Sequence, residues 1–321
     1  MDQKQDIQQI TVQAPRDLGA IRLSYQVFGQ DLHTHPIVMV NHALTGDANV
    51  SGDSGWWNRL VGPGKAIDTN RFAVVAFNIP GNGVLGSDLH QYESFHTGDI
   101  AFLFAQGLDV LGINDLYALI GGSIGGCIGW EFMAQFGNKV EHFVPIATDW
   151  KSTDWLIANC YLQELILNHS KDPVYDARVH AMLCYRTPIS FSHRFDRTIN
   201  EDEGLYNVET WLRHHGNKLK NRFSLQSYLT VNHLLRSVNS ERAGRPLTEI
   251  FAQSQTAFHL VSVDTDLFFT PEPIRATYQL LKENNNDVYH HEIQSLYGHD
   301  AFLIEYDQME KILSPIFNKT N

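Results

Sequence analysis

The sequence predicts an α/β fold with a mostly parallel central sheet, helices on both faces and an inserted helical lid. Short apolar runs, typical of strands that are buried on both faces, alternate with helical patterns along most of the chain. Between about residues 150 and 256 this alternation stops, and mainly helical patterns remain. We therefore predict a first core part at residues 1–149, a helical lid at 150–256 and a second core part at 257–321.

The first two predicted strands differ from the later ones. Residues 10–12 and 21–28 alternate apolar with polar side chains, which predicts an antiparallel opening pair. The later predicted strands are mostly continuous apolar runs, at residues 37–40, 72–77, 116–120, 143–146, 259–263 and 287–293. Helical patterns separate several of these strands, at residues 99–111, 125–136 and 273–283. Because strand–helix–strand crossovers join parallel strands, most of the sheet is expected to be parallel.

The composition excludes several classes of function. Of the 321 residues, 43% are hydrophobic, which is enough for a sizeable core. Lys+Arg 24 minus Asp+Glu 36 gives a net charge of −12, which repels nucleic acid and anionic membranes, so we expect neither as a partner. No apolar run reaches the roughly 18 residues of a membrane helix, and none follows Met1 as in a signal peptide.

The cysteines and histidines predict neither a disulfide framework nor a metal site. Cys127, Cys160 and Cys184 are odd in number and form no C-x-x-C, which favours a reducing, cytoplasmic setting. The paired histidines lack a third ligand at useful spacing. Residues 81–86 match G-x-G-x-x-G, but no helix is predicted to begin there, so we interpret them as a glycine-rich loop rather than a dinucleotide site.

The strongest functional signal is G-x-S-x-G at residues 121–125. An apolar strand leads into it and an amphipathic helix follows, which is the context of a nucleophilic serine on a sharp turn. Gly121 and Gly125 remove side chains that would clash there, and the helix amino terminus favours negative charge. Ser123 is therefore the predicted nucleophile.

A serine nucleophile needs a histidine base and an acid that orients the base. Asp266 follows the strand at 259–263 and is the predicted acid, with Asp264 as the alternative. His299 lies in a glycine turn after the strand at 287–293 and is the predicted base. The order serine, acid, histidine is the order that this type of sheet requires.

An oxyanion hole needs two backbone N–H groups that face the developing charge. One is expected from Ile124, directly after the nucleophile, and the other from Leu44, in the loop after the strand at 37–40. We interpret the neighbouring His42 as a residue that stabilises this loop rather than one that takes part in catalysis.

Six segments spread over most of the chain form a recognisable combination. They are His42-Ala43-Leu44-Thr45-Gly46, Trp56-Trp57, Gly62-Pro63-Gly64-Lys65-Ala66-Ile67-Asp68-Thr69, Gly121-Gly122-Ser123-Ile124-Gly125-Gly126, Asp266-Leu267-Phe268-Phe269 and Tyr297-Gly298-His299-Asp300-Ala301-Phe302-Leu303. Together these segments resemble the homoserine O-acetyltransferases of the α/β-hydrolase superfamily. G-x-S-x-G alone is generic to the superfamily, whereas the other strings in combination are much more specific.

The resemblance implies an α/β-hydrolase fold and a reaction of methionine biosynthesis. Acetyl-CoA would acylate Ser123, and the homoserine hydroxyl would then attack the acyl-enzyme with His299 as base, in a ping-pong sequence. Arg178 would bind the homoserine carboxylate, beside Tyr185 seven residues later, and Asp300 would bind the ammonium. The resemblance implies no bound cofactor, since acetyl-CoA is a substrate, and it implies a homodimer formed through the lid helices.

Three functions remain open at this point. The first is acyl transfer to an amino-acid hydroxyl, with acetyl, succinyl or another donor and homoserine or serine as acceptor. The second is a serine hydrolase acting on esters or thioesters, which shares the triad but admits water to the acyl-enzyme. The third is an inactive binding protein on the same fold, which the complete set of serine, acid and histidine disfavours.

Overall fold

The computed structural model describes residues 7–86 and 89–318. Its centre is an eight-stranded sheet. The strands are β1 (Gln8–Gln13), β2 (Ala20–Gly29), β3 (Ile37–Asn41), β4 (Ala73–Phe77), β5 (Leu116–Gly122), β6 (Val140–Ile146), β7 (Ala257–Val263) and β8 (Val288–Ile293). Each predicted strand is therefore present.

The strand order across the sheet is β1-β2-β4-β3-β5-β6-β7-β8. β1 pairs with β2, and β2 with β4, in antiparallel fashion, whereas all other neighbours in this sheet are parallel. This confirms the predicted fold class: a mostly parallel sheet that opens with an antiparallel pair. β6 begins three residues earlier than predicted, at Val140, because pairing with Leu116 extends the strand past the exposed Glu141.

Ten α-helices lie among the described residues. They are α1 (Thr97–Val110), α2 (Ile124–Phe136), α3 (Asp154–His169), α4 (Pro173–Tyr185), α5 (Pro188–Phe195), α6 (Asn207–Lys220), α7 (Leu225–Arg236), α8 (Leu247–Ile250), α9 (Pro271–Glu283) and α10 (Tyr306–Phe317). Within the described ranges, no helix has the length and apolar character that crossing a bilayer requires.

Two buried apolar clusters cover the two faces of the sheet. One includes α1, α2 and α9 together with lid helices. The other includes α10 and the chain between β3 and β4, where Trp57, Leu60 and Ile67 pack without forming an α-helix. Burying both faces explains why the central strands have continuous apolar sequences.

The helices α3 to α8 follow one another between β6 and β7. α4 packs against α3, α6 and α7, and a pair of two-residue strands, Ile199–Asn200 and Leu205–Tyr206, precedes α6. The division of the chain at residues 149 and 256 remains a prediction, and this run of helices between two core strands supports it.

The buried carboxylate of Glu131 on α2 connects the sheet layer to the end of this helical segment. It accepts hydrogen bonds from the Thr97 hydroxyl at 2.8 Å, from the Asn239 N–H at 2.9 Å and from the Arg242 guanidinium at 2.9 Å. Because a buried carboxylate is stable only when it is paired and hydrogen-bonded, these contacts hold α1, α2 and the residues after α7 in one arrangement.

Candidate active site

Ser123 lies in a strained turn between β5 and α2. Its backbone angles are φ 55° and ψ −131°, a combination that residues other than glycine avoid. A Cβ on Gly121 would lie 2.5 Å from the backbone of Gly125, and a Cβ on Gly125 would lie 2.5 Å from the carbonyl oxygen of Asn41. The glycines of G-x-S-x-G are therefore required by the close approach of this turn to the end of β3.

Ser123, His299 and Asp266 form a hydrogen-bonded chain. The Ser123 Oγ lies 3.0 Å from His299 Nε2, and His299 Nδ1 lies 2.7 Å from Asp266 Oδ2. The three residues are 4%, 4% and 2% exposed. These partners require that Nδ1–H donates to the carboxylate, which leaves Nε2 free to accept the serine proton.

The carboxylate of Asp266 has a partner on each oxygen. Its Oδ1 accepts from the backbone N–H groups of Phe268 at 2.7 Å and Phe269 at 2.9 Å, while Oδ2 faces His299. The alternative acid, Asp264, instead accepts from the Ser295 N–H at 2.9 Å and so ties the end of β7 to the loop after β8. The structure thus brings Asp266, and not Asp264, to the histidine.

Aromatic side chains surround the His299 ring. The ring centroids of Phe268, Tyr185, Phe269 and Phe302 lie 5.2, 5.5, 5.6 and 5.6 Å from that of His299. Tyr185 comes from α4, so the lid helices supply part of this enclosure. Burial of the imidazole limits the access of water to the atoms that would carry the reaction.

The loop after β3 contains Leu44, one of the two predicted oxyanion-hole residues. A hydrogen bond of 2.9 Å from Gly46 N–H to the Ala43 carbonyl closes the turn around Leu44. The other predicted donor, Ile124, is the first residue of α2, so its N–H has no acceptor within the helix. Both residues are buried, and their roles in the oxyanion hole remain predictions.

His42 holds this loop in place. Its Nδ1 contacts the Ala43 carbonyl at 2.8 Å, and its Nε2 accepts from the Ile79 N–H at 3.0 Å. Burial lowers the pKa of His42, so the neutral ring is favoured and Nδ1 carries the proton. These contacts are those of a loop-stabilising residue, as the sequence analysis expects.

Sequence reasoning missed a contact of Arg222, which lies two residues after the end of the lid helix α6. Its Nη1 donates to the carbonyl oxygen of Thr45 at 2.8 Å, one residue after Leu44. The lid segment therefore contacts the predicted oxyanion loop directly. No sequence signal identifies this pair, because the two residues are 177 positions apart and the contact uses a backbone atom.

Arg178 and Tyr185, the predicted carboxylate-binding pair, lie together beside the triad. The Arg178 guanidinium is 5.6 Å from the Tyr185 ring centroid, and that ring also packs on His299. Among the described residues Arg178 forms no salt bridge. Burial raises the pKa of the Tyr185 hydroxyl well above its usual value, so this group stays protonated.

Asp300, the predicted ammonium ligand, already has a cationic partner. Arg186 Nε donates to Asp300 Oδ2 at 2.7 Å, and both side chains are largely buried. The guanidinium also lies 5.4 Å from the Tyr297 ring centroid and 5.7 Å from that of Trp211. Nothing in the sequence gives Arg186 a role, since only the fold shows which carboxylate it meets.

The similarity to known proteins first identifies the class of protein to which this chain belongs. A family model described as alpha/beta hydrolase fold matches residues 36–161. With the sheet order and the Ser–His–Asp arrangement, this match defines a serine enzyme of the α/β-hydrolase fold. The homoserine O-acetyltransferase of Haemophilus influenzae is 30% identical over 343 residues, covering 95% of each chain. The chain therefore belongs to the homoserine O-acetyltransferase family, and it is an acyltransferase with a Ser–Asp–His triad.

Solved structures of two kinds of enzyme share the fold. The homoserine O-acetyltransferase of Bacillus anthracis superposes with a TM-score of 0.86 at 16% identity, covering 99% of each chain. An acetylester hydrolase of Corynebacterium glutamicum superposes with a TM-score of 0.79 at 17% identity, covering 98% of this chain and 96% of the other. Because transferases and hydrolases share this fold, the fold alone does not decide between them.

Proposed function

We propose that this protein transfers an acetyl group from acetyl-CoA to the hydroxyl of L-homoserine, a step of methionine biosynthesis. The observation that carries the proposal is the hydrogen-bonded Ser123–His299–Asp266 chain, enclosed by aromatic rings, in a member of this family. The Arg178 guanidinium lies beside Tyr185 and forms no salt bridge within the described ranges, which supports an acceptor that carries a carboxylate.

In the first half-reaction the Ser123 hydroxyl attacks the thioester carbonyl carbon. Its proton moves to His299 Nε2, the N–H groups of Leu44 and Ile124 stabilise the oxyanion, and Asp266 stabilises the imidazolium. The C–S bond then breaks, and His299 returns the proton to the departing sulfur. CoA leaves as the thiol, and the acetyl group remains on Ser123.

In the second half-reaction the homoserine hydroxyl takes the place of the serine hydroxyl as nucleophile. Arg178 and Asp300 hold its carboxylate and ammonium, and His299 removes the hydroxyl proton as the oxygen attacks the acetyl carbon. The bond to Ser123 Oγ breaks, and His299 returns the proton to that oxygen. The product is O-acetylhomoserine, and the enzyme regains its starting state.

Purified protein given acetyl-CoA and homoserine is expected to release CoA thiol well above the rate with acetyl-CoA alone. The assay follows the thiol with a chromogenic disulfide and identifies O-acetylhomoserine by mass spectrometry. Succinyl and propionyl donors and serine as acceptor are run in parallel, because they test the donor and the acceptor separately. Thiol release that does not depend on the acceptor would contradict the proposal.

A second candidate function is a serine hydrolase acting on esters or thioesters. It would use the same Ser123–His299–Asp266 chain, and an acetylester hydrolase shares the fold. The two functions differ in whether water reaches the acyl-enzyme, and the aromatic enclosure of His299 argues for exclusion of water. Acetate formation that exceeds acyl transfer at saturating homoserine would favour the hydrolase.

The Arg186–Asp300 pair gives a test of acceptor binding. Arg186 occupies one carboxylate oxygen, Oδ2, and so orients Asp300 with its other oxygen available for an ammonium. We expect Arg186→Met to raise KM for homoserine about tenfold, because the released carboxylate loses its orientation. KM for 4-hydroxybutyrate, which lacks the ammonium, should stay within about twofold.

Arg194→Met serves as the control for that test. Arg194 lies over the same Trp211 ring, at 5.5 Å, but forms no salt bridge among the described residues. The Arg194→Met variant should leave KM for homoserine and KM for 4-hydroxybutyrate close to those of the unchanged protein. An equal rise in KM for the two acceptors in Arg186→Met would mean that Arg186 supports the fold rather than the position of Asp300.

Two further proposals concern assembly and location. A homodimer formed through the lid is supported by exposed apolar side chains on α3, among them Trp155, Tyr161 and Leu162. A cytoplasmic location agrees with the three free cysteines of the described chain. Sedimentation of the purified protein at several concentrations would test the dimer.

A further inference from the structure

Asn41 links the two segments that carry the proposed oxyanion donors. It is the last residue of β3, three residues before Leu44, and it pairs in the sheet with Gly121 of β5. Its side-chain Nδ2 donates to the carbonyl oxygen of Gly125 at 3.1 Å. Gly125 directly follows Ile124, the other proposed donor, in the first turn of α2. One side chain thus joins the strand before one donor to the helix that begins with the other.

The hydrogen bond from Asn41 is not needed to satisfy the Gly125 carbonyl. In an α-helix this oxygen accepts from the N–H group four residues later, which for Gly125 is that of Gly129. The backbones of the two segments are also in contact, since a Cβ on Gly125 would lie 2.6 Å from the His42 carbonyl oxygen. What the amide adds is a directional contact, which fixes how the first turn of α2 lies against the end of β3.

The same side chain has a buried acceptor that lacks a donor. Asn41 is 0% exposed, and its Oδ1 has no hydrogen-bond partner among the described residues. The Gly125 carbonyl can only accept, so the nitrogen of the amide faces it and the unpartnered atom is the oxygen. A buried acceptor without a donor lowers stability, and the four residues before Asn41 in β3 are apolar. Stability alone therefore favours an apolar residue here, and the contact with Gly125 accounts for the asparagine.

The short chain after Asn41 transmits its position to Leu44. His42 Nδ1 contacts the Ala43 carbonyl oxygen at 2.8 Å, and the Gly46 N–H donates to the same oxygen at 2.9 Å. Leu44 lies inside this closed turn, so its N–H moves together with the end of β3. A shift of β3 against α2 consequently changes the separation between this N–H and the donor on α2.

We propose that Asn41 is a positioning residue for the oxyanion hole, and that its amide sets the separation of the Leu44 and Ile124 N–H groups through Gly125. The proposal rests on the proposed acyl-enzyme at Ser123 and adds a residue that acts through Gly125 rather than on the substrate. Preorganised donors stabilise the transition state only when they face the developing oxyanion. Misplacing them therefore slows acylation and leaves binding of the donor substrate unchanged.

Asn41→Leu keeps the branched shape of the side chain and removes both its N–H donor and its unpartnered acceptor. Acylation is measured by rapid mixing with acetyl-CoA, without acceptor, as a burst of thiol release, and intact mass identifies the acyl-enzyme. We expect the rate constant at saturating acetyl-CoA to fall about 30-fold, less than the loss of a donor itself causes. The half-saturating concentration of acetyl-CoA should stay within about twofold. An unchanged rate constant overturns the proposal.

Asn286→Leu is the matched control, because it makes the same change at the opposite edge of the sheet. Asn286 lies just before β8, and its Nδ2 donates to the Phe251 carbonyl oxygen at 2.6 Å. This variant should unfold at a lower temperature and keep the full rate constant of acylation. Asn41→Leu should show the reverse, a slowed acylation at an unfolding temperature within a few degrees of the unchanged protein. A loss of rate that both variants share overturns the proposal.

Asn41→Asp tests the donor by itself and does not depend on whether Asn41→Leu folds. The neutral form of the introduced carboxyl group can donate its O–H to the Gly125 oxygen, whereas the ionised form is repelled by that oxygen. Burial raises the pKa of a carboxyl group at this position, so the neutral form persists at low pH. Relative to the unchanged protein, the rate constant should lie within about threefold near pH 5 and fall a further tenfold or more, in about this range, towards pH 9. A ratio that does not change with pH overturns the proposal.

The same burst measured with p-nitrophenyl acetate separates this inference from the proposed function. Both donors develop an oxyanion at the same place, so Asn41→Leu should slow acylation by the ester as well. If the ester acylates Ser123 of the unchanged protein and acetyl-CoA does not, the proposed donor is wrong and the role of Asn41 is decided by the ester. Absence of acylation by either donor contradicts the acyl-enzyme itself, on which both proposals rest.

Discussion

Ser123→Ala is expected to lower thiol release from acetyl-CoA by a factor on the order of 10⁶, to the uncatalysed background. The reason is the loss of the proposed nucleophile, the Oγ that lies 3.0 Å from His299 Nε2. Alanine keeps the Cβ, so the substitution leaves the backbone strain of the turn at φ 55° unchanged. The measurement is thiol release together with intact mass, which should show no acyl adduct.

The control for this change is Ser192→Ala. Ser192 is exposed on α5, and its hydroxyl contacts only the Pro188 carbonyl among the described residues, at 3.1 Å. Its variant should retain full thiol release, and both variants should unfold at the temperature of the unchanged protein within a few degrees. Substantial acylation in Ser123→Ala would show that another nucleophile carries the acetyl group and would contradict the mechanism.

The sequence predicts the parts of the site that depend on strand ends. Ser123, Asp266 and His299 each come after a strand of the parallel part of the sheet. Because the carboxyl ends of parallel strands lie at one edge of the sheet, their meeting follows from the alternation of strands and helices. The choice between Asp264 and Asp266 does not follow in this way. It depends on the turn at 266–269, in which two backbone N–H groups orient one carboxylate.

The lid contacts are harder to predict, because they are long-range pairings between irregular segments. Arg186 meets Asp300 across 114 residues, and the Gln163 side chain is fixed by a backbone carbonyl and a histidine on the neighbouring helix. No periodicity encodes such pairs. Arg186 and Gln163 also look ordinary in the sequence, since charged and polar residues are common on helices that cover a sheet.

Asp266→Asn is expected to lower kcat by about 10⁴-fold, or about 5.5 kcal/mol of transition-state stabilisation. The N–H groups of Phe268 and Phe269 require an acceptor, so the asparagine oxygen takes the position of Oδ1. The asparagine NH₂ group then faces His299. Nδ1 must then accept, the proton moves to Nε2, and Nε2 can no longer remove the proton of Ser123. The geometry of the site is kept, whereas the tautomer of His299 is reversed. Pre-steady-state thiol release measures the resulting loss of rate.

Asp264→Asn is the matched control, two residues away on the same turn. The asparagine oxygen can still accept from the Ser295 N–H, and Asp264 does not contact the histidine, so kcat should stay within about twofold of the unchanged protein. Because the two variants make the same chemical change, a general effect on folding or charge would lower both. A larger loss in Asp264→Asn than in Asp266→Asn would reverse the assignment of the acid, and with it the account of how the imidazole is held.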